Sequence, residues 1–177
     1  PGIGLDTNPK ASRQTWEYTG VWAVFRNFET DDAMLRLSVE PQGQVVFSDD
    51  FESGLGNWTG DWALTNSTSY SPTNSYTDSP LGNYPPNSTL IGAMANGVDL
   101  SSFFGATLEF YTKYELETGF DYCYLEISTD GGSNWLNLRT YNGEGAVTQF
   151  TLESLDIGGF AGQSDVRIRF RLVTDAG

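Results

Sequence analysis

Hydrophobic positions in this chain alternate, and the alternation is cleanest between residues 121 and 135. Cys123, Leu125 and Ile127 share one face, while Tyr122, Tyr124, Glu126 and Ser128 share the other, a period of two that a pleated strand satisfies. Asp130-Gly131-Gly132 comes next with the residues that a hairpin turn needs, and Trp135 opens the return strand. Leu108, Phe110, Tyr114 and Leu116 mark a second core face, and Val166, Ile168, Phe170 and Leu172 a third. The opposite parity carries Glu109, Lys113, Glu115 and Glu117 on one strand and Arg167, Arg169 and Arg171 on another, so cross-strand ion pairs are expected on an outer face.

From Val45 onward the pattern predicts strands near 45–52, 57–64, 89–94, 106–117, 121–129, 134–141, 147–155 and 166–174, which is a jelly-roll count. Residues 66–88 form a long run rich in Ser, Thr, Asn, Tyr and Pro, and loops of that length are rare unless they are functional or pinned. Upstream, residues 1 to about 14 read as a peripheral lead-in. Trp16–Phe28 and Ala33–Glu40 alternate around the polar turn Glu29-Thr30-Asp31-Asp32 and read as a β-hairpin, which Pro41-Gln42-Gly43-Gln44 separates from the strand at Val45. An isolated hairpin is marginal in water. The expected organisation is therefore residues 1–44 as lead-in and hairpin, docked on the sandwich or ending a preceding domain, and residues 45–177 as the sandwich itself. The fold class is all-β, an antiparallel jelly-roll sandwich with an N-terminal β-hairpin.

Composition narrows the function. The formal charge is −14 with only nine Lys and Arg in 177 residues, so the chain lacks the basic footprint that nucleic acid demands. A cation is the better-matched partner, although acidity also serves solubility alone. Histidine is absent, which removes the usual general base and zinc ligand. The lone Cys123 falls on the apolar parity and reads as a small buried hydrophobe. No apolar run is long enough to cross a membrane as a helix. The sequence begins at Pro1 without a signal peptide and is expected to be a mature product or an excised piece. Asn57, Asn66 and Asn87 head Asn-x-Ser/Thr triplets, which are common by chance in so Asn- and Ser-rich a chain.

Several ordered motifs resemble the MAM-like jelly-roll modules of secreted bacterial proteins, of the kind attached to immune inhibitor A-type metallopeptidases. Asp50-Phe51-Glu52-Ser53-Gly54-Leu55-Gly56-Asn57-Trp58 resembles the family's opening, Asp78 to Tyr84 a characteristic loop, and Leu125 to Trp135 its central hairpin; Val166 to Leu172 looks like its penultimate strand. The resemblance covers about Phe47 to Asp175. It implies a secreted accessory module, structural or adhesive, whose partners are neighbouring domains of the parent protein, a peptidase, and a cell-surface protein or glycan. It also implies one further strand after Asp175, so the last strand is expected to be truncated here, with the upstream hairpin filling the open edge.

Asp50 and Glu52 lie two apart on a predicted strand, so their carboxylates point the same way and call for a cation. The resemblance implies a metal near this motif, and calcium takes oxygen ligands of this type. Asp121 has core parity, a costly place for an unpartnered charge, and with Asp78 in the long loop completes the candidate calcium ligands. The alternative is a carbohydrate-binding module in which Trp58, Trp62, Tyr76 and Tyr84 stack on sugar rings; the plainer reading is that these rings pack the core and loop edges. Carboxylate pairs such as Glu115 with Glu117, or Glu109 with Asp121, give no sign of the raised acid that glycoside hydrolysis needs, so no catalytic residue is expected.

Overall fold

In a computed structural model the described residues are 35–40, 43–145 and 149–176. The expected run Trp16–Phe28 lies outside them. The alternating segments form strands β1 (Leu35–Glu40), β2 (Gln44–Asp49), β3 (Trp58–Gly60), β4 (Ala63–Thr65), β5 (Ser75–Thr77), β6 (Thr89–Met94) and β7 (Gly105–Thr112). They continue as β8 (Tyr114–Glu115), β9 (Tyr122–Ser128), β10 (Leu136–Tyr141), β11 (Glu144–Gly145), β12 (Thr151–Asp156) and β13 (Arg167–Val173). A single 3₁₀ turn at Gly158–Phe160 is the only helical element among the described residues.

Two antiparallel sheets result. One has the order β12-β7-β1-β2 and the other β10-β9-β13-β6-β3, with small ribbons β11-β8 and β4-β5 beside them. The inward faces carry the predicted parities: Leu35, Leu37, Val39, Leu108 and Phe110 from one sheet meet Leu125, Ile127, Ile168 and Leu172 from the other in one buried cluster. Phe110 and Phe170 touch edge-on across the gap, with ring centroids 5.5 Å apart. The protein is an all-β, antiparallel sandwich of the jelly-roll kind, its chain passing repeatedly from sheet to sheet.

β1 is an interior strand of its sheet, as β7 is, and pairs with β7 from Leu35 opposite Phe110 and with β2 from Leu35 opposite Asp49. The boundary expected between residues 44 and 45 therefore falls inside the hairpin that joins β1 to β2. The single strand read at 57–64 is split at Asp61-Trp62: β3 pairs with β6, while β4 turns aside to pair with β5. The strand read at 106–117 likewise breaks at Lys113, beyond which β8 pairs with β11.

The outer-face ion pairs form with different partners from those expected. β7 and β13 belong to opposite sheets, so the acidic row of one never faces the arginines of the other. Instead Arg169 and Arg171 converge on Glu126 of neighbouring β9, at 2.6 and 2.7 Å. Arg169 lies over the Trp135 ring and Arg171 over Tyr124, each 4.4 Å from the centroid. Glu126 is 5% exposed in consequence, a charged residue buried because it is paired and roofed. Arg139 of β10 pairs with Glu153 of β12, joining edge strands of the two sheets.

The turn after β9 is the predicted one. Gly131 and Gly132 take φ of 74° and 87°, values that side chains with a Cβ resist. Asp130 accepts hydrogen bonds from the Asn134 backbone (2.9 Å), the Asn134 amide (2.7 Å) and Ser128 (2.8 Å). Those donors, the Asn134 backbone first, hold its carboxyl down to about 2.

Candidate functional site

At the end of β2 the chain turns sharply, and three consecutive features make the turn. Asp49 is 7% exposed. Its Oδ1 accepts the Phe51 N–H at 2.8 Å, and its Oδ2 accepts the Trp58 indole N–H and the Asn57 amide, both at 3.0 Å. Phe51 has φ of +64°, a conformation costly for a residue with a Cβ that the Asp49 hydrogen bond holds in place. Its ring is thereby turned into the core against Trp58 and Tyr76, at 5.6 and 5.1 Å.

Asp50 and Glu52, the two carboxylates expected to share a face, do different work. Asp50 Oδ1 accepts the Glu52 N–H at 3.0 Å. Glu52 reaches into the long loop: Oε1 accepts the backbone N–H of Asn74 (2.8 Å) and Thr73 (3.0 Å) and the Ser71 hydroxyl (3.1 Å), while Oε2 accepts the Asn74 amide (3.1 Å). The Asn74 backbone donor, working against partial desolvation and aided by Thr73 and Ser71, holds the Glu52 carboxyl below its ordinary value.

Buried Ser71 is the most telling residue here. Its Oγ lies 2.9 Å from the Asp50 carbonyl, 3.0 Å from the Asn74 carbonyl and 3.1 Å from Glu52 Oε1. A hydroxyl has one hydrogen to give, so three acceptors around it are a surplus of oxygen. Among the described residues no group of three or more Cys, Asp and Glu side chains is gathered for a metal ion. The oxygens around Ser71 are instead one carboxylate, two carbonyls and a hydroxyl, hard donors that fit calcium in kind.

Asp121 and Asp78 line a different place, a groove of about 850 Å³ that also carries Glu115, Glu117, Asp175 and Lys113. Asp121 is 4% exposed, as its core parity predicts, and it has the partner that position requires: its Oδ1 accepts the Asp175 N–H at 3.0 Å. Half-buried Asp78 has its carboxyl raised, chiefly by desolvation. Tyr84 also lines this groove, its hydroxyl accepting the Glu117 N–H at 3.2 Å.

The other aromatic candidates face one another. Trp58 is buried; Tyr76 sits 5.0 Å from it and 5.2 Å from Trp62, which in turn stacks on Phe170 at 5.5 Å. The Trp62 indole donates to the Leu90 carbonyl at 3.3 Å. A Cβ on Gly92 would meet the Tyr76 hydroxyl at 2.5 Å and Trp62 at 2.7 Å, so the glycine in β6 is what seats these rings. Burial pushes the Cys123 thiol up to about 12.

Sequence reasoning passed over Asp49 and Ser71. Asp49 carries the signal that flagged Asp121, a carboxylate on the parity of core residues Phe47 and Phe51. Nothing in the sequence marks Ser71, whose acceptors come from residues 50, 52 and 74.

The chain thus defines a β-sandwich whose acidic and polar groups fasten loops to the sheets. No family model matches it. Over 151 residues it is similar to Bacillopeptidase F of Bacillus subtilis (strain 168), with 27% identity covering 78% of this chain and 10% of that protein. The chain spans about a tenth of the length of the curated relative it matches.

Proposed function

We propose that this chain is a non-catalytic accessory module of a larger secreted peptidase, MAM-like, stabilised by calcium and serving a structural or adhesive role. The observation that carries this reading is the match to a small region of a much larger peptidase. Its neighbours in the parent protein are its first partners, and a cell-surface protein or glycan is the external one. Two experiments test the role. The isolated chain should leave casein and common polysaccharides intact. Removing it from the parent should leave cleavage of a short peptide unchanged, and a collapse of that activity with the remaining domains still folded would overturn the accessory role.

The calcium site is proposed at Asp50 and Glu52, and the oxygen surplus around Ser71 supports it. Calcium would draw on the Glu52 carboxylate and the carbonyls of Asp50 and Asn74, tying the long loop to the end of β2. A ligand that binds only the folded state stabilises it by RT ln(1 + [L]/Kd), about 2.7 kcal/mol at a hundredfold excess over Kd. Millimolar calcium should therefore raise the melting temperature relative to chelator, Glu52→Gln should abolish the rise, and Asp121→Asn should retain it. Identical melting in calcium and chelator would remove the metal from the reading and leave the accessory role standing.

A further inference from the structure

The groove of about 850 Å³ carries five carboxylates, those of Asp78, Glu115, Glu117, Asp121 and Asp175, and a single cation, Lys113. Lys113 is engaged elsewhere, its ammonium 5.3 Å from the centre of the Phe150 ring. Asp121 is buried and holds the Asp175 N–H. Glu115 and Glu117 are exposed, and no ion pair among the described residues uses them or Asp78.

The walls are fastened before any partner arrives. Tyr84 ties its loop to the Glu117 N–H at 3.2 Å. Asn142 donates to the carbonyls of Asp121 and Glu117 at 2.7 and 3.2 Å and accepts the Gly119 N–H at 3.0 Å. A site already in shape gives up little conformational freedom on binding. Two apolar side chains stand beside it. Leu81, between lining residues Ser79 and Gly82, is 100% exposed, and Phe120, between Thr118 and Asp121, is 57% exposed. Single exposed apolar residues are ordinary, but two bracketing a charged groove match the layout of a contact surface, in which apolar anchors sit beside polar groups.

Charge decides the occupant. A point cation needs oxygens that converge on it, and among the described residues no three of these carboxylates gather in that way. A second copy of the chain would bring a net charge of −14 and be repelled. Positive charge spread along a polypeptide, with apolar groups between, is what matches. Desolvation raises the Asp78 carboxyl, and a cation set beside it would favour the charged form again.

We propose that this groove docks an extended basic segment of another polypeptide, its Lys or Arg side chains beside Glu115, Glu117 and Asp78 and its apolar side chains against Leu81 and Phe120. The inference stands apart from the calcium site and from the identity of the parent protein.

Fluorescence anisotropy of the labelled hexapeptide Lys-Leu-Lys-Phe-Lys-Leu with the full chain tests it, and amide NMR locates the contact. The peptide should bind at low salt, bind severalfold more weakly at about 200 mM than at about 20 mM salt as exposed charges are screened, and shift resonances of residues 79–84 and 115–121. Its counterpart Glu-Leu-Glu-Phe-Glu-Leu should not bind. Glu115→Gln with Glu117→Gln should weaken binding about tenfold, the combined worth of two exposed ion pairs. Leu81→Ser with Phe120→Ser should weaken it severalfold, and both double variants should melt as the wild type does because the altered side chains are exposed. Asp99→Asn with Asp156→Asn removes the same charge from exposed sites outside the groove and should leave binding nearly unchanged. No binding of the basic peptide at low salt would overturn the proposal. So would binding that either groove variant leaves intact, or that the Asp99 and Asp156 variant weakens as much, since the chain's general acidity would then be what holds the peptide.

Discussion

Two buried carboxylates, Asp49 and Glu126, hold together more of this structure than any sequence motif around them suggests. Glu126 is enclosed by Arg169, Arg171 and the rings beneath them. Burial works to raise its carboxyl, but the hydrogen bonds from Arg171 and Arg169 outweigh it and bring the group below its ordinary value. Since the folded value is the depressed one, the stabilisation is fully present above the unfolded value of about 4.3 and is lost as pH falls through the folded value. Glu126→Ala should cost about 3 kcal/mol, the low end for breaking a buried ion pair, measured by denaturant unfolding at neutral pH. The variant should also lose part of the wild type's decline in stability below about pH 4.3; an unchanged acid limb would show that Glu126 does not contribute to it. Asp49→Ala leaves the Trp58 indole and the Phe51 N–H without their acceptor, and each orphaned buried donor costs ~1–3 kcal/mol. Asp49→Ala should accordingly destabilise the fold by at least ~2 kcal/mol, while Asp50→Ala, whose side chain meets only the Glu52 N–H, should cost less.

Among elements, the 66–88 loop and β1 show how local signals acquire meaning from remote partners. The loop reads as structureless by composition, yet it is pinned at both ends: Glu52 holds residues 71–74, and Thr174 accepts the Ser88 N–H at 2.9 Å while donating to the Pro85 carbonyl at 2.8 Å. β5 lies between these anchors and pairs with β4. Glu52→Ala should therefore speed limited proteolysis within residues 66–74 without changing the far-ultraviolet spectrum, and an unaltered digestion rate would show that the loop is held by other means. β1 was legible as a strand from Leu35, Leu37 and Val39. Its place between β2 and β7 was not, because pairing partners are chosen by both sheet faces and not by the strand's own alternation. A fragment beginning at Val45 removes an interior strand and bares the ladders of β2 and β7, so it should be unfolded or associated. One beginning at Asp31 keeps β1 and tests whether that strand is sufficient; a monomeric, cooperatively melting 45–177 fragment would contradict the assignment.

For the molecule as a whole, a period of two, glycine-marked turns and abundant aromatics determined an all-β sandwich and most of its strands, because burying one face of a pleated strand forces that alternation. The same reasoning placed Cys123 inside, gave Asp121 a position needing a partner, and built the Asp130 hairpin. Those conclusions concern residues near one another in the chain or the parity of a single strand. Tertiary structure alone decided which strands are neighbours, and with that it moved the partners of Arg169 and Arg171 from β7 to Glu126 of β9. It also separated Asp50 and Glu52 from the groove of Asp78 and Asp121, and it gathered three acceptors around Ser71. Sequence parity fixes which face of a strand a residue occupies, but a cation site or a cavity requires atoms from several strands and loops within a few ångströms, and their convergence is set by sheet order and loop path, which no single stretch of the chain specifies.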